Sequence, residues 1–131
     1  MSSIYPSTKI YINKSNIPES GKGVFAAKNI KKGETIEVAP ILILSFDDFI
    51  DTKWNLLFEY YFWMDNFVVL AMGYASFYNH AKDANAKYEI HKDDKTIIFT
   101  ATEDIKKDQE IYFNYKGTAN PKTPLWFERS K

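Results

Sequence analysis

The chain contains no cysteine. Disulfides and thiolate zinc sites are therefore excluded, because both need the sulfur. Histidine is nearly as scarce: His80 and His91 are the two present, they are well separated, and no His-Glu-x-x-His helix occurs. A dedicated metal site is not expected from such a set. No apolar run approaches the length of a membrane span, and no basic region followed by a long apolar run opens the chain. The net charge is zero, which removes the electrostatic basis for strong nonspecific binding to nucleic acid. The Gly-x-Ser-x-Gly elbow and the Gly-Lys-Ser/Thr phosphate loop are both missing, and the carboxylates are scattered over strands and turns. Nucleophilic acyl transfer, nucleotide hydrolysis and paired-carboxylate hydrolysis thus have little support. These absences lead us to expect a soluble intracellular protein of the cytoplasm or nucleus, with no membrane and no direct nucleic-acid partner.

Aromatic residues are plentiful at 17%, and 131 residues are enough for one domain with a real core. Short alternating segments separated by turn residues predict a mainly β protein with few short helices. The expected strands are Lys9 to Asn13, Gly23 to Ala27, Thr35 to Ala39, Phe67 to Met72, Ala86 to His91, Thr96 to Thr100 and Glu110 to Tyr115. In the third, alternation reads as a half-buried strand, and Pro40 then leads into the apolar run Ile41 to Leu44. Ser45-Phe46-Asp47-Asp48 carries a helix-start signature, a hydroxyl followed three residues later by an acid, for a short helix to about Thr52. The Lys92 to Lys95 turn between two alternating runs predicts a hairpin. Ala27 to Ile36 is echoed by Ala101 to Ile111, a single echo with no sustained period, so a repeat architecture is not expected. We divide the chain into a loose lead-in over 1–8, a folded domain over 9–117 and a tail over 118–131. The tail carries Leu125-Trp126-Phe127 near its end, apolar enough to fold back on the domain or to pack on a partner.

Three stretches are candidates for chemistry. Gly21-Lys22-Gly23, followed by Val24-Phe25-Ala26, lets the backbone approach a ligand closely, or is simply a tight turn. Asn79 and His80 are adjacent, so in extended chain their side chains face opposite ways, one free for a ligand and one for bracing the loop. Asp83-Ala84-Asn85 reads as a turn built on Asx side chains. The last stretch, Glu110-Ile111-Tyr112-Phe113-Asn114-Tyr115, ends in a phenol that is either buried or aimed at a reacting centre.

Together and in this order, Gly21-Lys22-Gly23-Val24-Phe25-Ala26, Asn79-His80-Ala81-Lys82-Asp83-Ala84-Asn85 and Glu110 to Tyr115 resemble the SET-domain protein-lysine N-methyltransferases, most closely the small stand-alone, viral-type members. The turn Ile30-Lys31-Lys32-Gly33-Glu34 matches too, and the resemblance covers roughly residues 9–117. It implies a SET-domain fold of short curled sheets with a threaded, pseudoknot-like C-terminal segment. It implies S-adenosylmethionine as cofactor, bound by Gly21, Lys22, Gly23, Asn79, His80 and Tyr115. Tyr115 would also be the catalytic residue, and Tyr60, Tyr78 and Phe113 would line the substrate channel. Phe113 falls where some members tune the number of methyls added. The partner would be a lysine-bearing protein or peptide, with histones among the candidates, and a homodimer is a further expected partner. The alternative is a non-catalytic SET-like module that holds a peptide or protein. The family's Ser after Asn-His is Ala81 here, and its Pro before the later Asn is Ala84. The Cys-rich zinc segment that many members carry after the tyrosine is absent, which leaves Trp126 or Phe127 to complete the site.

Overall fold

A computed structural model describes residues 3–45, 62–64 and 67–114. The expected helix after Ser45, Tyr60, Tyr115 and the tail lie outside these residues. The strands are β1 (Ile10–Lys14), β2 (Lys22–Ala26), β3 (Thr35–Ser45), β4 (Phe62–Met64), β5 (Phe67–Ala71), β6 (Asn79–His80), β7 (Ala86–His91), β8 (Thr96–Ala101) and β9 (Glu110–Phe113). A 3-10 turn, Ala75–Phe77, precedes β6. The expected mainly β architecture with little helix is thus borne out. Among the described residues no helix is long and apolar enough to cross a membrane.

The strands join in the order β1-β2-β9-β7-β8-β3-β5-β4, with β6 attached to β9. Three sequence-adjacent couples, β1–β2, β4–β5 and β7–β8, pair antiparallel as hairpin partners do. The centre of the order is different. The last strand, β9, inserts between β2 on one side and β6 and β7 on the other, and it runs parallel to both of the latter. Its insertion buries the centre: Val24, Ile111, Phe113, Tyr88, Ile97 and Phe99 are all inaccessible, and the rings of Phe62, Tyr78, Tyr88, Phe99 and Phe113 form one aromatic cluster.

Two details of β3 depart from the sequence expectation. Simple alternation would send Glu37 to solvent opposite Ile36, but a register shift between Thr35 and Glu37 buries both. An extra residue in a bulge resets the two-residue period, so the next side chain changes face. Nor does Pro40 end the strand. It sits where β3 changes partners, from β8 through Pro40 to β5 from Ile41 onward. A residue with no N–H is tolerated at such a junction, and its carbonyl accepts the Met72 N–H at 2.9 Å.

The internal echo is a physical pairing. Ile30 and Ile105 exchange both backbone hydrogen bonds, at 2.8 and 2.7 Å. Gly33 N–H donates to Ala101 O as Asp108 N–H donates to Ala26 O, and Ala101 N–H donates to Glu34 O as Ala26 N–H donates to Gln109 O. The two similar segments therefore pack against one another about a local pseudo-twofold. Gly33 and Asp108 occupy equivalent positions at φ 87 and 70, so the aspartate stands where its counterpart is glycine.

Candidate active site

Three sequence-distant stretches meet at β9. The antiparallel β2–β9 pairing of Val24 with Ile111 brings Gly23 next to β9, and Asn79 and His80 pair with Tyr112 and Phe113. The parallel register puts the side chains of Asn79, Glu110 and Tyr112 on one face of β9. His80, half-buried and next to Asn79 in extended chain, takes the other face, and the Ala81 N–H closes on Phe113 O at 3.1 Å.

Glu110 is the hub of this corner, although it opens the third candidate stretch without having been assigned a role in the site. It is 1% exposed, and its carboxylate accepts four hydrogen bonds. Asn16 N–H (2.7 Å) and Tyr112 Oη (2.9 Å) donate to Oε1, while Ser15 Oγ (2.8 Å) and Asn79 Nδ2 (3.1 Å) donate to Oε2. No ion pair neutralises it among the described residues. Burial first, and then the bond and charge of Glu110, hold the Tyr112 phenol above its ordinary range, so the phenol stays the donor.

The Asn79 amide ties the corner together, because Nδ2 also donates to Lys22 O at 3.1 Å. No donor to its amide oxygen occurs among the described residues, which leaves that oxygen as an acceptor for a ligand. Gly23 is required by contact: a Cβ there would collide with Glu110 Oε2 and approach Asn79 Nδ2 to 3.0 Å. Gly21 is required by conformation, at φ 70, and its carbonyl accepts Ser15 N–H at 2.8 Å. The exposed Lys22 lies between the two glycines.

Asn85 ends the Asp83–Asn85 segment read as a turn, and its side chain does more than turn the chain. Buried at 4% exposure, its amide donates to Glu110 O at 3.0 Å and accepts the Tyr112 N–H at 2.8 Å. A side-chain amide can stand in for one peptide of a neighbouring strand. It does so here just before β7, whose own pairing to β9 is a single position, Ala86 with Phe113.

Two of the residues assigned to the substrate channel are described, and both are buried. Phe113 is 1% exposed, with Phe62 at 5.6 Å and Tyr88 at 5.4 Å between ring centroids. Tyr78 stacks on Phe99 at 4.1 Å and gives its hydroxyl to Glu37 Oε1 at 2.9 Å. Burial, reinforced by Glu37, pushes the Tyr78 phenol well above its ordinary range. The third channel residue, Tyr60, and the catalytic candidate Tyr115 lie outside the described residues. No group of metal-ligating side chains occurs among the described residues.

A buried carboxylate that forms no ion pair among the described residues makes this corner electronegative. Together with an open amide acceptor and a close-approach glycine strand, it suits an organic ligand carrying positive charge. It does not suit a phosphate.

The SET domain family model matches residues 21–116. The histone-lysine N-methyltransferase of Schizosaccharomyces pombe that is specific for H3 lysine-37 is 29% identical over 110 residues, which is 82% of this chain and 71% of that protein. A crystal structure of a candidate histone methyltransferase of Plasmodium falciparum superposes with a TM-score of 0.70 at 33% identity, covering 88% of this chain and 97% of that one. The Chaetomium thermophilum Polycomb repressive complex 2 bound to S-adenosylmethionine contains a similar fold, with a TM-score of 0.70 and 25% identity. That match covers 96% of this chain but 17% of the larger one.

Proposed function

The chain belongs to the SET-domain family, and from that membership we infer that it is a protein-lysine N-methyltransferase using S-adenosylmethionine. The observation that carries the reading is the Asn79 amide joining Lys22 O to the Glu110 carboxylate, which unites all three motif stretches in one corner. The residues fit the cofactor. Its ammonium and sulfonium charges suit the electronegative corner, and its bulk suits the open space beside Gly21, where an added Cβ would meet nothing within 4 Å. We propose that Gly21, Lys22 and Gly23 hold it through backbone, with Asn79 and His80 on the opposite side. A non-catalytic binding module is not favoured, because it would have no use for this arrangement.

When bound, S-adenosylmethionine supplies an electrophilic methyl on sulfur. The protein's share is orientation and dehydration. In-line displacement rewards alignment of the two reactants, a contribution that can reach several kcal/mol. Lysine must arrive neutral although its free pKa is about 10.4, and an apolar aromatic channel lowers that value by penalising the charged form. We assign the channel to Tyr60, Tyr78 and Phe113, and the phenol that aligns the amine to Tyr115. Histones are the leading substrate class, in line with the relatives' names, and action in the nucleus goes with that target.

Titration calorimetry with S-adenosylhomocysteine tests the site without a known substrate. We expect binding near one per chain, weakened more than about tenfold in Asn79→Ala, which is about 1.4 kcal/mol. A folded wild-type protein that takes up none would defeat the reading.

We also propose that the protein forms a homodimer. Support comes from the β3–β5 pair, where Leu42 is 52% exposed opposite the half-buried Leu70 and is joined by Met72 at 42%. Light scattering should give twice the chain mass, and Leu42→Glu should return it to one. A wild-type monomer at tens of micromolar would reject the dimer and leave the enzyme reading intact.

A further inference from the structure

One buried carboxylate has no part in the proposed methyl transfer. Glu37, turned inward by the bulge in β3, is 6% exposed and forms no ion pair among the described residues. Its oxygens are divided between the two ends of one short segment. Oε2 accepts Tyr74 N–H at 3.0 Å, where the segment enters its 3-10 turn, and Oε1 accepts Tyr78 Oη at 2.9 Å, where the segment leaves it. The turn has no side-chain cap of its own. Gly73, at φ 66, lets the chain close onto the carboxylate, since a Cβ there would lie 2.9 Å from Oε2. Burial raises the Glu37 carboxyl above its ordinary range, opposed by these two donors.

The cofactor stretch begins where this clamp ends. Tyr78 is bonded in sequence to Asn79, and β6 is only Asn79–His80. Two residues of parallel pairing specify register weakly. The position of the Asn79 amide therefore depends on how Tyr78 is held, and Tyr78 is held by Glu37 and by its stack on Phe99. A buried carboxylate is a poor means of gaining stability, because well-packed apolar replacements are often neutral or better. Its presence here calls for a geometric reason.

We propose that Glu37 is a positioning residue for the cofactor site: by clamping Tyr74 and Tyr78 it sets where Asn79 meets Lys22 and Glu110. This rests on the assignment of that corner to the cofactor. The decisive comparison is between stability and affinity. Glu37→Leu/Tyr78→Phe removes both sides of the buried polar contact and is expected to melt within a few degrees of wild type. It should nevertheless bind S-adenosylhomocysteine about tenfold more weakly, because the loop is no longer indexed to β3. Glu37→Gln should restore affinity to within about threefold, since its oxygen can accept Tyr74 N–H while its amino group donates to the Tyr78 hydroxyl. Should the double variant not fold, Tyr78→Phe alone cuts one arm of the clamp and is expected to weaken binding by about threefold or more. Ile30→Val, in the core on the pseudo-twofold pairing, serves as a control that lowers the melting point without moving affinity. Wild-type affinity in the folded double variant, or in Tyr78→Phe, overturns the proposal. Absent binding in the wild type would instead overturn the cofactor reading, so the two failures are distinguishable.

Discussion

Replacing Glu110 with alanine is expected to lower the melting temperature by about 10–20 °C and to abolish cofactor binding in the protein that remains folded. The reasoning is a count of donors. Asn16 N–H, Ser15 Oγ, Asn79 Nδ2 and the Tyr112 hydroxyl all end on this one carboxylate, and alanine leaves them without it. A stranded buried donor costs about 1–3 kcal/mol, and with partial relaxation of the exposed members the total is about 3–5 kcal/mol. Glutamine does not rescue the site, because either orientation of the new amide costs a bond. With its NH2 at the Oε1 position it opposes the Asn16 N–H, and with its NH2 at the Oε2 position Asn79 must turn its amide over and give up Lys22 O. We therefore expect Glu110→Gln to lose about 1–3 kcal/mol and to bind S-adenosylhomocysteine far more weakly than wild type. Calorimetric melting with and without ligand measures both effects. A Glu110→Gln protein that melts and binds like wild type would strip the hub of its role.

The same residue shows where sequence reasoning stops. A glutamate opening an alternating strand looks like a solvent-facing end residue, and nothing local reports that four donors from residues 15, 16, 79 and 112 converge on it. Periodicity specifies faces within a segment; it does not specify partners between segments. This is why seven of the nine described strands were legible, and the β7–β8 hairpin with them, whereas β4, the two-residue β6 and the parallel pairing of β9 with β6 and β7 were not, and a threaded C-terminal segment was expected only through family resemblance. Asn85 was legible as an Asx turn for the same local reason, and its grip on Glu110 O and Tyr112 N–H was not. The inward turn of Glu37 was hidden because one bulged residue inverts the face of every residue after it. The internal echo, by contrast, could be seen in sequence because the pseudo-twofold pairing needs the same turn chemistry twice: Lys31 N–H to Glu34 Oε1 and Lys106 N–H to Gln109 Oε1.

The largest catalytic effect is expected at Tyr115, where phenylalanine should reduce turnover by about 10²–10³-fold while S-adenosylhomocysteine affinity stays within about threefold. Phe113, two residues before it in the sequence, is pinned by the Ala81 N–H to Phe113 O bond and by its pairing with His80. Phenylalanine keeps the ring and its packing and removes only the hydroxyl, so a loss confined to turnover isolates the polar contribution. Orientation is what the hydroxyl would supply: a neutral amine in an apolar channel has few hydrogen-bond partners, and one fixed oxygen aligns its lone pair with the bond to be formed. Tritium transfer from labelled S-adenosylmethionine to core histones, or to a proteome depleted of methyl-lysine, gives turnover, and calorimetry on the same preparation gives affinity. Equal losses of both would mean that Tyr115 holds the cofactor and not the amine. Unchanged turnover would remove it from the mechanism and direct attention to Tyr112, whose phenol is already held by Glu110 on the Asn79 face of β9.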